Sequence, residues 1–163
     1  MRARHVSLIG AVALSCSAGV TSPATTPAGV VASYVAISTA LAEDKLDSVA
    51  ALSGELERHA VALKGKPGIA KVVANLPGLA RNDLATVRTA FKPLSDGMIE
   101  YMRAETATQT GNVMVFCPMA FNDQGALWIQ AEGKVANPYF GASMLFCGNK
   151  LAWDAELPTT AAL

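Results

Sequence analysis

Residues 83–106 read DLATVRTAFKPLSDGMIEYMRAET, and this stretch decides the fold. Leu84, Val87, Phe91, Leu94, Met98 and Met102 recur at spacings of three and four, which puts them on one face of a helix. The pattern predicts a helix that starts near Asn82 or Asp83 and runs to about Thr106. Pro93 falls inside the stripe and is expected to kink it.

Toward the N-terminus the same period recurs. Val31, Tyr34, Val35, Ser38 and Leu41 share a face. After a break at Glu43-Asp44, with Asp44 expected as N-cap, a second helix runs to about Leu63. Its inner side is Leu46, Val49, Leu52, Leu56, Ala60 and Leu63. Gly65-Lys66-Pro67-Gly68 ends it. Pro67 suits the first turn of a short third helix reaching Leu76, which Pro77-Gly78 breaks. About four amphipathic helices joined by short links predict an antiparallel bundle over residues 30–110.

Toward the C-terminus the character changes at Gly111. Val113 to Phe116 is β-prone. Asn122 to Gly125 reads as a turn, Ala126 to Gln130 as a returning strand, and Met144 to Phe146 as a third extended piece. The expected fold is therefore mainly α, with a small cysteine-bearing hairpin-and-loop appendage over residues 111–157.

The first 20 residues carry Arg2, Arg4 and His5 ahead of an apolar run from Val6 to about Val20. That is the pattern of a secretory signal peptide, and the run is too short for a bilayer span. Cys16 offers a lipid-anchor site within it. Residues 21–29, rich in Ser, Thr, Pro and Ala, read as a flexible tether, and residues 30–163 as a single domain. The expected location is the periplasm, either free or anchored through Cys16.

Lys and Arg number 13, as do Asp and Glu. Losing Arg2 and Arg4 with the leader leaves a net charge of about −2. That balance argues against nucleic acid, which calls for a basic patch. Asp44, Asp47, Glu55, Glu57, Glu100 and Glu105 are scattered over outer faces and caps. The chain shows no phosphate loop and no nucleophile elbow. No general base lies near either thiol in sequence, and no enzymatic activity is expected.

The chemistry-bearing residues lie in two short clusters, Cys117-Pro118-Met119 and Met144-Leu145-Phe146-Cys147-Gly148. Each pairs a thiol with a thioether, and soft sulfur donors favour Cu(I) and its congener Ag(I). Phe116, Phe121, Trp128, Tyr139, Phe140 and Phe146 are expected to wrap such a site and exclude water. Two other readings stand beside the metal one. A disulfide closing a loop of about 30 residues would stabilise the fold by roughly 2–4 kcal/mol, with Met119 and Met144 as core fillers. A reactive thiol pair is the third, although no Cys-x-x-Cys is present. Spacing alone favours the disulfide. His59 falls at the edge of an inner helical face and reads as a satisfied, partly buried side chain. Met98, Met102 and Met114 read as core.

Five motifs in order, AFKPLS from Ala90, CPMAFN from Cys117, GALWIQ from Gly125, NPYFG from Asn137 and MLFCG from Met144, carry a family resemblance. The chain resembles the bacterial domain of unknown function 3347 family. That family occurs in exported proteins and on periplasmic adaptor subunits of copper/silver efflux pumps. The resemblance covers roughly residues 31–151 and implies a periplasmic helical domain near metal resistance, with an efflux adaptor or another envelope protein as partner. It marks Cys117, Met119, Met144 and Cys147 as motif positions and weighs toward Cu(I) or Ag(I) binding. Many relatives carry His and Met near the N-terminus or in the helices, whereas this tether has neither.

Overall fold

A computed structural model describes residues 27–158. The expected signal peptide, Cys16 and most of the expected tether lie outside the described residues.

Helix α1 spans Pro27–Ala42, so the helix takes in three residues expected to belong to the tether. Pro27 is its first residue, where a fixed φ and a missing N–H are tolerated. Val30, Tyr34, Ile37 and Leu41 are fully buried along it. Of the expected face Val31, Tyr34, Ser38 and Leu41 are buried and Val35 is half-buried, while Val30 and Ile37 widen it. Helix α2 spans Val49–Val61 and buries Val49, Leu56 and Ala60, while Leu46, Leu52 and Leu63 are only partly covered. Helix α3 spans Ile69–Asn75 and passes into a 3₁₀ turn at Leu76–Ala80. Pro67 lies outside α3, which is capped instead by Gly68 at φ 75°.

Helix α4, Leu84–Ala104, runs unbroken through Pro93. Asp83 caps it by accepting the Thr86 N–H at 2.7 Å. Val87, Phe91, Leu94, Met98 and Met102 are completely buried, so Met98 and Met102 are core. Helix α1 packs on α2 and α3 on α4, while α1 and α4 also contact the sheet. Gly97 permits the α3–α4 approach, since a Cβ there would meet the Gly68 carbonyl oxygen at 2.7 Å.

The sheet has three antiparallel strands in the order β2-β1-β3. β1 is Asn112–Cys117 and β2 is Ala126–Ala131. They are joined through a one-turn segment, α5 (Ala120–Asp123), in which Phe121, Asn122 and Asp123 have φ of 54°, 56° and 65°. The third strand is Asn149–Leu151, not the expected Met144 to Phe146. The backbone around Met144 to Cys147 is engaged elsewhere. The Leu145 carbonyl accepts the Asn137 N–H, and the Met144 carbonyl accepts the Cys147 N–H.

The cysteine-bearing third is more than an appendage. Met114, Val115, Trp128 and Ile129 are fully buried and belong to one core with Val30, Phe91 and Met98. Strand alternation divides the sheet's side chains between two faces. Leu127 borders a hollow shared with Asp96 and Ile99 of α4. Val115 and Trp128 lie under Gly148 of the return loop, residues 132–148. Gly148 has φ 151°, and a Cβ there would lie 2.7 Å from the Trp128 ring. The outer edge of β2 is closed by two tyrosines. The Ile129 N–H donates to the Tyr34 hydroxyl at 3.2 Å, and the Tyr139 hydroxyl donates to the Leu127 carbonyl at 2.6 Å. Unpaired backbone groups on an edge strand are thereby satisfied inside the core. No helix among the described residues is long and apolar enough to cross a membrane.

Candidate functional site

Cys117 ends β1 opposite Ala126, and the alternation puts it on the same sheet face as Val115, under the return loop. Asn137 organises that loop. It is fully buried. Its Oδ1 accepts the N–H groups of Tyr139 at 2.8 Å and Phe140 at 3.3 Å. Its Nδ2 donates to the Cys147 carbonyl at 2.8 Å. One side chain therefore folds the turn and holds the main chain of the second cysteine.

A second anchor comes from the helices. Arg88 of α4 donates from Nε to the Pro138 carbonyl at 2.8 Å and from Nη2 to the Leu41 carbonyl at 2.8 Å. It also pairs with Asp44 at 2.6 Å. The other carboxylate oxygen of Asp44 accepts the Ala142 N–H at 2.9 Å. Asp44 is thus no N-cap. It sits at φ 59° after α1, and α2 begins from Ser48 without a side-chain cap. The ends of α1 and α4 together hold the loop that delivers Cys147.

The Ala142 N–H first, and then Arg88, hold the Asp44 carboxyl below the usual carboxylate range. A lowered folded-state pKa contributes stability above the ordinary carboxylate value, about 3.9, and that contribution is lost as pH falls through the lower folded value. Asp44→Asn is expected to destabilise the protein at neutral pH and to flatten the loss of stability below about pH 4. Asp83 is shifted the same way, so the decline is reduced without disappearing. Urea unfolding from pH 6 to 2 checks this, and an unchanged acid limb contradicts it.

With these anchors in place, Cys117 and Cys147 form a disulfide, their Cα atoms 5.7 Å apart. Met119, Met144 and Cys147 line one open, shallow hollow of about 690 Å³, together with Ala142, Ser143, Leu145 and Phe146. All four sulfur residues singled out in the sequence are therefore brought to one end of the sheet, three of them on the hollow and the fourth bonded beneath it.

The surround differs from expectation. Trp128 and Tyr139 are buried, Phe116, Phe121 and Phe140 are partly covered, and Phe146 is 70% exposed. Met119 is 48% exposed and is no core filler. The wrap of aromatic side chains is closed on the core side and open on the solvent side. Residues 144–147 turn around their own backbone hydrogen bonds, so Phe146 has no strand partner to cover it.

Among the described residues, no three His, Cys, Asp or Glu side chains group closely enough to hold a metal ion; the sulfur cluster here has two Cys, and its other members are Met. His59 is half-buried beside Gly29 of α1, and among the described residues its buried Nδ1 has no hydrogen-bond partner, unlike the satisfied side chain expected. Met114 is fully buried in the core. A second hollow lies between α3, α4 and the C-terminal segment, lined by Lys71, Asp96, Glu100 and Arg103 with Leu127 and Leu157. Burial pushes the Asp96 carboxyl up against the pull of Lys92 and Lys71.

Compared with known proteins, the chain matches no family model, no curated protein and no solved structure.

Arg88 was not singled out by the sequence, and Asn137, Asp44 and Tyr139 were read there as a motif position, a cap and part of the aromatic wrap, not as positioning residues. Nothing local marked Arg88, and the local signal at Asp44 was that of a cap, because the partners of both are far apart in sequence.

Proposed function

We propose that this is a non-enzymatic, exported module whose sulfur cluster holds Cu(I) or Ag(I), and that the disulfide is the closed form of that site. The observation that carries the reading is convergence. Two segments 30 residues apart bring both cysteines together, with Met119 and Met144 on the same hollow. Two thiolates and two thioethers are a donor set suited to a soft monovalent ion. Asn137 anchors the Cys147 backbone through its carbonyl, a contact that does not depend on the sulfur–sulfur bond. Opening the bridge therefore leaves that anchor in place. The resemblance to the domain of unknown function 3347 family supports a periplasmic setting near copper or silver efflux, with an adaptor subunit as partner.

The test is an anaerobic Cu(I) titration of chemically reduced protein against a competing chelator. The Cys117→Ser, Cys147→Ser double variant is expected to lose at least about 100-fold in affinity. Met119→Leu with Met144→Leu is expected to lose about tenfold. Because thiolates must be deprotonated to bind, affinity should weaken as pH falls. A double Ser variant that competes as well as the parent rules the site out.

A second reading has an observation of its own. The exposure of Phe146 and Met119 beside an intact disulfide suits a stapled interaction domain that docks on an envelope partner. The intact mass of protein taken directly from the periplasm separates the two. A gain of two hydrogens on reduction, with no metal recovered, favours the staple.

A further inference from the structure

We infer that the Cys117–Cys147 bridge is opened from one side only, by a dithiol protein that seats on the Met119–Phe146 rim and attacks the sulfur of Cys147. This rests on the reading in which the bridge is the closed form of the soft-ion site.

The two cysteines are not equivalent. Cys117 is completely buried at the end of β1, and it does not line the hollow. Cys147 is partly exposed and forms part of the hollow's wall. Thiol–disulfide exchange depends on access to the sulfur attacked, and the incoming thiolate approaches in line with the bond that breaks. Attack on Cys147 comes from the hollow and drives Cys117 inward as the leaving group. Attack on Cys117 would bring a charged nucleophile through packed side chains.

The step balances as follows. The donor thiolate bonds to Cys147 Sγ, the bond between Cys147 and Cys117 breaks, and Cys117 leaves with the electron pair and takes up a proton. The donor's second thiol, as thiolate, then attacks the donor's own sulfur in the mixed disulfide. Cys147 is released and protonated. Two electrons and two protons pass from the dithiol to the bridge, and the donor leaves as a disulfide.

The occupant follows from the same asymmetry. Attack is confined to the one exposed side, so a small thiol reaches the bridge only by collision from the hollow. A protein gains where a small thiol does not, because it buries Phe146, 70% exposed, and Met119, 48% exposed, while holding its thiolate at the sulfur. The partner is accordingly a dithiol protein that presents its cysteines from an apolar surface.

The experiment uses oxidised full-length chain without metal, so it can fail while Cu(I) titration of chemically reduced protein succeeds, and the reverse. The probe is a reduced thioredoxin whose second active-site cysteine is replaced by Ser, which stalls at the mixed disulfide. Alkylation, digestion and mass mapping are expected to find the link at Cys147 and a free, alkylated Cys117. A link at Cys117, equal links at both, or no complex overturns the inference. Phe146→Ser is expected to slow trapping by about tenfold while leaving the slow rate with glutathione unchanged; an unchanged trapping rate removes the rim from the proposal. In single variants that keep the parent's far-UV circular dichroism, the thiol left in Cys117→Ser should react with an aromatic disulfide at least about tenfold faster than the one left in Cys147→Ser. Equal rates contradict it.

Discussion

Removing the bridge between Cys117 and Cys147 is expected to lower the unfolding free energy by about 3–4 kcal/mol and the melting temperature by about 10 °C. The bridge closes a sequence separation of 30, and a loop of that size loses a corresponding amount of denatured-state entropy when it is cross-linked. The closed segment holds β2, the α5 turn and the Asn137 loop, so the unfolded chain is constrained over the segment that carries the second strand. Chemical reduction isolates the cross-link itself. The double Ser variant adds a further cost, because position 117 is fully buried and a hydroxyl there needs a hydrogen-bond partner. Urea unfolding of oxidised, reduced and double-Ser protein separates these contributions. Midpoints that agree among all three mean that the bridge does not constrain the fold. Binding linkage adds a second check. Cu(I) that binds the reduced native form restores part of the lost stability in proportion to RT ln(1 + [L]/Kd), and the double Ser variant regains none.

Tyr139→Ala is expected to cost about 4 kcal/mol, and Tyr139→Phe about 1–2 kcal/mol. The ring is the hub of an aromatic cluster, with centroids 5.9 Å from Phe91, 5.3 Å from Phe121 and 5.9 Å from Trp128. The last two contacts are edge-on, the geometry favoured by the ring quadrupole. Its hydroxyl donates to the Leu127 carbonyl at 2.6 Å. Burial pushes the phenol pKa well above its ordinary value, so it remains a donor throughout the physiological range. The Phe variant strands one edge carbonyl of β2 in the core and leaves the ring contacts. The Ala variant removes both and also loosens the step from Pro138 toward Cys147. Chemical denaturation measures each. A Phe variant as unstable as the Ala variant would put the whole effect on the hydroxyl and deny the ring its packing role.

The helical half was legible because its signals are local. The stripe from Val87 to Met102 is buried as its period required, the breaks at Glu43-Asp44 and Gly65 to Gly68 separate α-helices, and Pro77-Gly78 falls inside the 3₁₀ turn that follows α3. The β1–β2 pair and its turn were also readable, from β-prone runs either side of Asn122 to Gly125. The misses share a cause. Asp44 looked like a cap because it stands before a helical pattern, yet its carboxylate is used by Ala142, 98 residues away. Met144 to Phe146 looked like a strand because it is apolar, yet its backbone is drawn toward Asn137. The same folding-back leaves Phe146 in solvent. Propensity describes a few neighbouring residues, and a distant hydrogen-bond partner overrides it.

By itself the amino-acid order determined roughly which segments are helical, that two strands return on each other, and which four sulfur residues merit attention. Those properties follow from side-chain spacing and backbone restriction within a turn or two of chain. Tertiary structure alone decided that the sheet enters the common core, that Tyr34 and Tyr139 close its edge, and that Arg88, Asp44 and Asn137 deliver Cys147 to Cys117. It also buried Cys117 completely and left Cys147 partly exposed. Such outcomes depend on which distant groups meet once apolar surface is buried and every enclosed polar group must find a partner, and no local pattern encodes that meeting.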